Sequence, residues 1–296
     1  TVLSTVQGTR VTFRLVENGG PPESLDELLG SPVAAEDLRT ALGRRNGLVV
    51  LCSPTHSTRQ ALLRSAMSEL VGPGRTVLSI EDPVEHLVQG VEQVDVDPRA
   101  SVTFATGLHS ILRSDADAAA VGELIDPETI RLATRGAVGT CLVVTTLAAG
   151  SAAEAACRLR ELGAESGSLA DALACIAAGR RLRAICLECR TSSYATLDEL
   201  TILGRPPEED GRRLLARSNG CAACDGTGHG GWLHVSETLA LADGVRRAVA
   251  TGAPREEIER VAAEAGMRTV ADAAVELCLE GMTTASEVAR ILGVAG

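Results

Sequence analysis

The sequence supports an α/β fold with a mostly parallel sheet, and three observations carry that reading. Short apolar runs rich in Val, Leu and Ala recur at residues 47–52, 75–80, 118–122 and 141–147. Stretches with apolar residues at helical spacing lie between them, and strands alternating with helices build parallel sheets. Acidic residues follow two of the runs, Glu81 and Asp82 after the second and Glu123 after the third, where ligands sit in such sheets.

Residues 2–16 alternate, with Val11, Phe13 and Leu15 on one face and Arg10 and Arg14 on the other. This predicts a strand or hairpin turning at Gly8. Asn18-Gly-Gly-Pro-Pro22 is a linker, and Ser24 with Glu27 forms a capping box that opens a short helix. A second helix is expected over 34–44. Strand 47–52 leads into a polar turn and a helix over 61–70, whose apolar positions are Leu62, Leu63, Ala66, Met67 and Leu70 and which Gly72-Pro-Gly74 stops. Residues 88–96 alternate as a further strand. Helices are expected at 103–113, at 127–136 behind the cap Asp126 and Pro127, and at 151–162 and 169–185. A polar helix near 197–203 follows. From 236 onward the pattern is helical throughout, with a capping box at Thr284 and Glu287. Units are expected at 1–20, 21–46, 47–185, 186–235 and 236–296.

At 296 residues the chain can bury a sizeable core. Phe13, Phe104, Tyr194 and Trp232 are its only aromatic residues, so that core is Leu, Val, Ile and Ala. The formal charge of −11 argues against a general nucleic-acid binder, which needs a basic surface. Arg180, Arg181 and Arg183 cluster, and the expectation is a solvated helix face. No apolar run reaches the length of a membrane helix, about 20 residues. No secretory signal is expected, and the thiols are expected to be reduced.

The stretch from Gly47 to Ala61 has the layout of a phosphate-binding loop: buried strand, polar turn, helix. A working loop reads G-x-x-x-x-G-K-[ST]; its glycines let the backbone wrap phosphates, its Lys reaches the β and γ groups and its hydroxyl holds Mg²⁺. Here Ser53 stands at the first Gly, Thr58 at the second, Arg59 at the Lys and Gln60 at the hydroxyl, with Thr55, His56, Ser57 and Ala61 filling the rest. All 28 basic residues are Arg, so no other segment hides an intact loop. Arg59 is read as a solvated residue at a helix start rather than a phosphate clamp.

Cys186-Leu-Glu-Cys189 and Cys221-Ala-Ala-Cys224 form two C-x-x-C pairs. Four thiolates at this spacing suit tetrahedral Zn²⁺. Cys52, Cys141, Cys157, Cys175 and Cys278 sit in apolar segments and are read as core. The five His residues share no ligand spacing, and no nucleophile elbow appears.

In this motif order the chain resembles the hexameric ATPases of type II secretion and type IV pilus assembly, over nearly its whole length. Ser79-Ile-Glu-Asp-Pro-Val-Glu85 resembles the family's acidic box. Ile111-Leu-Arg-Ser-Asp-Ala-Asp117 with Val121-Gly-Glu123 resembles its Walker B region. The resemblance implies a RecA-like P-loop core, an inserted tetracysteine zinc segment and a C-terminal helical subdomain. Residues 1–20 would end a domain that sandwiches nucleotide, bringing Arg10 and Arg14 to it. Glu123 and Glu81 would be the catalytic carboxylates, with Arg113 nearby. It further implies ATP with Mg²⁺, a homo- or hetero-hexamer with a paralogous ATPase, inner-membrane platform proteins as partners, and a cytoplasmic place peripheral to the inner membrane.

The departures are the loop just described and the His box, where Cys141 and Ala148 stand at the two His positions; Ile125 replaces the Arg that follows Glu123 by two. Phosphoryl transfer depends on positioning and charge neutralisation, so these losses point to weak or lost hydrolysis. The expectation is a structural or regulatory subunit. The alternatives are a divergent working motor and a zinc-dependent interaction module.

Overall fold

The computed structural model describes residues 2–13, 22–205 and 213–293. The expected Arg14, Leu15 and most of the linker lie outside the described residues. The chain opens with a hairpin, β1 (Val2–Thr5) and β2 (Gly8–Val11), whose residues are all exposed. Helices α1 (Leu25–Leu29) and α2 (Pro32–Leu42) follow, each with a Ser cap, Ser24 and Ser31. Next come β3 (Gly47–Cys52), α3 (His56–Leu70), β4 (Val77–Glu81), β5 (Val91–Asp95), α4 (Phe104–Ile111) and β6 (Ala118–Val121). Then α5 (Pro127–Gly139), β7 (Leu142–Leu147), α6 (Ala152–Glu161), α7 (Ser166–Ala172) and β8 (Leu173–Ile185) complete the core.

The remainder is β9 (Arg190–Tyr194), α8 (Leu197–Ile202), β10 (Leu214–Ser218) and β11 (His229–Ala240), then four helices: α9 (Asp243–Ala250), α10 (Arg255–Glu264), α11 (Val270–Leu279) and α12 (Ala285–Leu292). These four match the expected helical end of the chain.

One sheet organises the molecule, in the order β11-β8-β3-β7-β6-β4-β5. All neighbours are parallel except β11, which runs antiparallel to β8. The central β3 is buried along its whole length, and its side chains alternate between two cores as the strand pleat requires. Leu48 and Val50 meet Leu108, Ile130, Leu159 and Leu169 of α4–α7 on one face. Val49 and Leu51 meet Leu28, Leu38, Leu62 and Met67 of α1–α3 on the other. A third cluster packs Val270 and Val288 of α11 and α12 against Leu182 and Val235. Each fully buried Leu or Val contributes about 1.5–3 kcal/mol of transfer free energy.

Two expectations are corrected. Residues 173–185 are strand, not helix, and residues 236–240 continue β11 rather than opening a helix. A continuous apolar run buried on both sides of a sheet cannot be told from a buried helix by periodicity. The Arg cluster is therefore no solvated helix face. Arg180 is half-buried on β8 with its Nε donating to Gly150 O at 3.2 Å, and burial lowers its pKa. Arg181 Nη2 donates to Ser57 Oγ at 3.0 Å and its guanidinium lies 5.0 Å from the Trp232 ring centroid. Arg183 pairs with the buried Glu287 of α12.

Candidate functional site

The parallel strands deliver the candidate residues to one edge of the sheet. Ser53 follows β3, Glu81 ends β4 and Glu123 follows β6. Close packing holds these ends together: Gly122 N donates to Ile80 O at 2.8 Å, and a Cβ on Gly122 would come within 3.2 Å of Glu81 Cα. This is the crevice beyond the carboxyl ends of the strands, where open α/β sheets bind ligands.

Within it, residues 53–61 make the predicted turn and helix start. Ser53 is buried, Thr55 precedes the first turn of α3 without a side-chain cap, and His56, Ser57 and Gln60 stand in that turn ahead of Ala61. Thr58 is also buried, and its Oγ1 has no hydrogen-bond partner. Among the described residues none from 53 to 61 has a positive φ. An anion nest requires alternation between right- and left-handed backbone, which glycines supply. This loop, Ser-Pro-Thr at its turn, does not make one.

Arg59 is the largest departure from the sequence reading. It is 5% exposed and folds back into the loop. Its Nη1 donates to Ser53 O at 3.0 Å and to Pro54 O at 3.3 Å, and its Nη2 donates to Glu123 Oε1 at 3.1 Å. The expected solvated helix-start residue is instead the centre of the site. Helix-start position alone suggested solvent; the ion pair comes from a strand end 64 residues away. The electrostatic sense of the loop is inverted. A phosphate site turns N–H groups towards an anion, whereas this loop turns two carbonyls towards a cation.

Glu81 is buried and accepts from Ser79 Oγ at 2.6 Å and Gln93 Nε2 at 2.9 Å. Gln93, on the neighbouring β5, is a site residue that sequence reasoning missed; the strand pairing of β4 with β5 places it. Arg181 was missed as a contact of the loop because residues 173–185 were read as helix. The structure does not bring Arg113 here. It follows α4 and precedes β6, at the opposite end of the strands from Glu123, and is exposed. Arg10 is exposed on β2, and among the described residues no hydrogen bond or ion pair joins it to the loop. Arg14 lies outside the described residues.

ATP with Mg²⁺ does not fit this donor set. There is no Lys, Gln60 offers no hydroxyl, and Arg59 fills the space in front of the loop carbonyls.

The cysteines form a separate centre. Cys186 and Cys189 follow β8, and Cys221 and Cys224 bracket a single 3₁₀ turn after β10. The Sγ–Sγ separations are 3.9 Å for Cys186–Cys221, 4.0 Å for Cys189–Cys224 and 3.8 Å for Cys221–Cys224. A tetrahedron with metal–sulfur bonds of about 2.3 Å has edges of about 3.8 Å, so the quartet has the size a Zn²⁺ site needs. A disulfide would need about 2.05 Å. The Cys221 N–H brings the Cys224 thiol down to about 6 against the effect of burial, helped by the Gly228 N–H. Gly220 is required for the turn: its φ is +81°, and a Cβ there would lie 2.3 Å from Gly226 O.

The model of the type II/IV secretion system protein family matches residues 1–290. The chain belongs to that family. It is 32% identical over 286 residues to a type IV pilus assembly ATPase PilB of Thermus thermophilus, covering 97% of this chain and 32% of that protein. It is 29% identical over 284 residues to a type II secretion system ATPase E of Vibrio cholerae, covering 96% and 56% respectively. The chain thus spans 32% of the first of these curated relatives and 56% of the second. Among solved structures, Legionella pneumophila ATPase DotB superposes with a TM-score of 0.67 at 20% identity, over 93% of this chain and 66% of that one. The pilus retraction motor PilT with bound ADP gives 0.66 at 19% identity, over 98% and 72%. The fold is therefore that of the P-loop secretion ATPases. Among the described residues no helix is long and apolar enough to cross a membrane.

Proposed function

We propose that this chain is a secretion- or pilus-system ATPase-family subunit in which ATP hydrolysis is weak or lost, serving a structural or regulatory role. The observation that carries this is the Arg59–Glu123 ion pair seated on the carbonyls of Ser53 and Pro54. In this reading Glu123 corresponds to the family carboxylate that would orient an attacking water, and its charge is engaged by Arg59. Glu81 is held by Ser79 and Gln93. Neither carboxylate faces a bound phosphate in such an arrangement.

Family membership supports assembly into a homo- or hetero-hexamer with a paralogous ATPase, on inner-membrane platform proteins and on the cytoplasmic side. The unit division at residues 1–20, 21–46, 47–185, 186–235 and 236–296 belongs to this reading. Cys186, Cys189, Cys221 and Cys224 would hold one Zn²⁺, which supplies a structural crosslink between the ends of β8 and β10 rather than reaction chemistry.

Calorimetric titration with ATP and ADP, with and without Mg²⁺, tests the nucleotide reading, alongside a phosphate-release assay. The expected result is turnover at or barely above background and no saturable heat. Sustained turnover at the rate of a working motor, about 1 per second or faster, that Glu123→Gln abolishes would establish a divergent working motor and overturn the proposal.

A further inference from the structure

We propose that the loop after β3 has become a guanidinium site, filled in cis by Arg59, and that this internal ligand does the ordering that a nucleotide does in a phosphate loop. The inference rests on the reading that nucleotide is not the ligand here. Three acceptors converge on one planar group: the carbonyls of successive residues, Ser53 and Pro54, on Nη1, and the Glu123 carboxylate on Nη2. A guanidinium presents such donors in a fixed fork, whereas an ammonium is a single point charge on a shorter stem. Arg59 Nε is buried with no partner, so recognition resides in the two terminal nitrogens.

The charges balance, and that makes burial tolerable. The Arg59 side chain is 6% exposed and that of Glu123 29% exposed. Removing the cation leaves a partly buried carboxylate unpaired and two carbonyls without their donor, an unfavourable state. The contact also spans the crevice. It joins the loop after β3 to the end of β6, two strands away across β7. In this role Arg59 is a positioning residue, and it fixes the loop in one state whatever the nucleotide supply.

The test uses Arg59→Ala, which removes the side chain beyond Cβ and leaves a space with the shape of ethylguanidinium. Amide hydrogen exchange at residues 55–59 reads the order of the loop. The expected result is exchange faster by about tenfold or more in Arg59→Ala. Low-millimolar ethylguanidinium restores protection saturably, and ethylammonium at the same concentration does not. General denaturation by a guanidinium salt is linear in concentration and negligible in this range. The double variant Arg59→Ala, Glu123→Gln should lose the restoration. Equal restoration by ethylammonium, none by either cation, or unchanged exchange in Arg59→Ala would each overturn the inference.

Should Arg59→Ala fail to fold, Arg59→Lys decides the question. It keeps the charge but not the fork, so loop exchange faster than wild type is expected, and wild-type protection would refute the guanidinium site. ATP binding by the unaltered chain would sink the nucleotide reading by a separate measurement and leaves the restoration experiment to be judged by itself.

Discussion

Glu237→Gln is the most informative single change outside the candidate site. Glu237 sits on β11, 4% exposed, and its carboxylate serves two helices at once. Oε1 accepts from Ala152 N at 2.6 Å, at the start of α6, and Oε2 accepts from Val270 N at 2.9 Å, at the start of α11. Helix N-termini favour a negative charge, so one side chain ties the core layer and the C-terminal helices to the sheet. Gln keeps the volume and one acceptor oxygen, but its NH₂ then faces an N–H. One charge-assisted bond is lost, at about 1.5–3 kcal/mol, and the other drops to neutral strength. With the carboxyl protonated, its hydroxyl oxygen can still accept where the Gln NH₂ cannot, a loss of about 1–3 kcal/mol for the N–H left unsatisfied; with the carboxyl ionised, relief of the buried charge offsets more of it.

The pH dependence has a defined sign. Burial pushes the Glu237 carboxyl above its usual value of 4.5, more than the Ala152 and Val270 N–H groups pull it down. The native state then binds more protons than the unfolded state across that window, so this group's contribution falls as pH rises from 4.5 through the raised value. The lead of wild type over Glu237→Gln should therefore be largest at acid pH and shrink towards neutrality. Urea melts at several pH values measure it, with amide exchange at Ala152 and Val270 locating it. An unchanged midpoint at constant slope, or a lead that grows with pH, would refute the reasoning.

The other predictions concern the cysteine quartet and the acid limit of stability. One equivalent of zinc per chain is expected by elemental analysis of metal-replete protein. Cys186→Ser should speed exchange over the described residues between 186 and 224 while the sheet core keeps its protection; global unfolding would contradict that division. Glu199, beside Arg217, has its pKa held at about 2. Glu287 is held at about 2 by Arg290 and Arg183 despite the opposing effect of burial. Both lie below the usual 4.5, so their stabilisation is complete above that pH and lost as pH falls from there through about 2. Each contributes about 2–3 kcal/mol at neutral pH. Acid melts followed by exchange at α8 and α12 should show these segments loosening first, and a flat profile over that range would count against it.

Much of the fold was legible because its signals are local. The Ser24–Glu27 and Thr284–Glu287 boxes, the Asp126 cap ahead of Pro127 and the Val- and Leu-rich runs each fix an element from a few neighbouring residues. The Glu287 signal was incomplete: its carboxylate goes to Arg183 and Arg290, not back to the cap backbone. The failure at residues 173–185 has a different cause. Leu-Ala-Cys-Ile-Ala-Ala favours helix by intrinsic propensity, and the pairing of β8 with β3 and β11 overrides it. The position of the candidate site was legible for the same reason as the fold, since strand ends mark it. Its chemistry was only half legible. The missing glycines, Lys and hydroxyl could be read from residues 53–60, but what took their place could not.

What took their place follows from the constraint that buried polar groups need partners. Without glycines, the turn after β3 cannot expose its N–H groups as a nest, and it leaves carbonyls pointing inward instead. Those carbonyls and Glu123 turn three acceptors towards one point, and Arg59 donates to all three. A donor is required, and Arg59, in the first turn of α3, has a side chain long enough to return to Ser53. The substitutions at Ser53, Thr58 and Arg59 therefore act as one unit. Replacing Arg59 by Lys without restoring the glycines would put back the residue of a phosphate loop but not the backbone that made Lys useful.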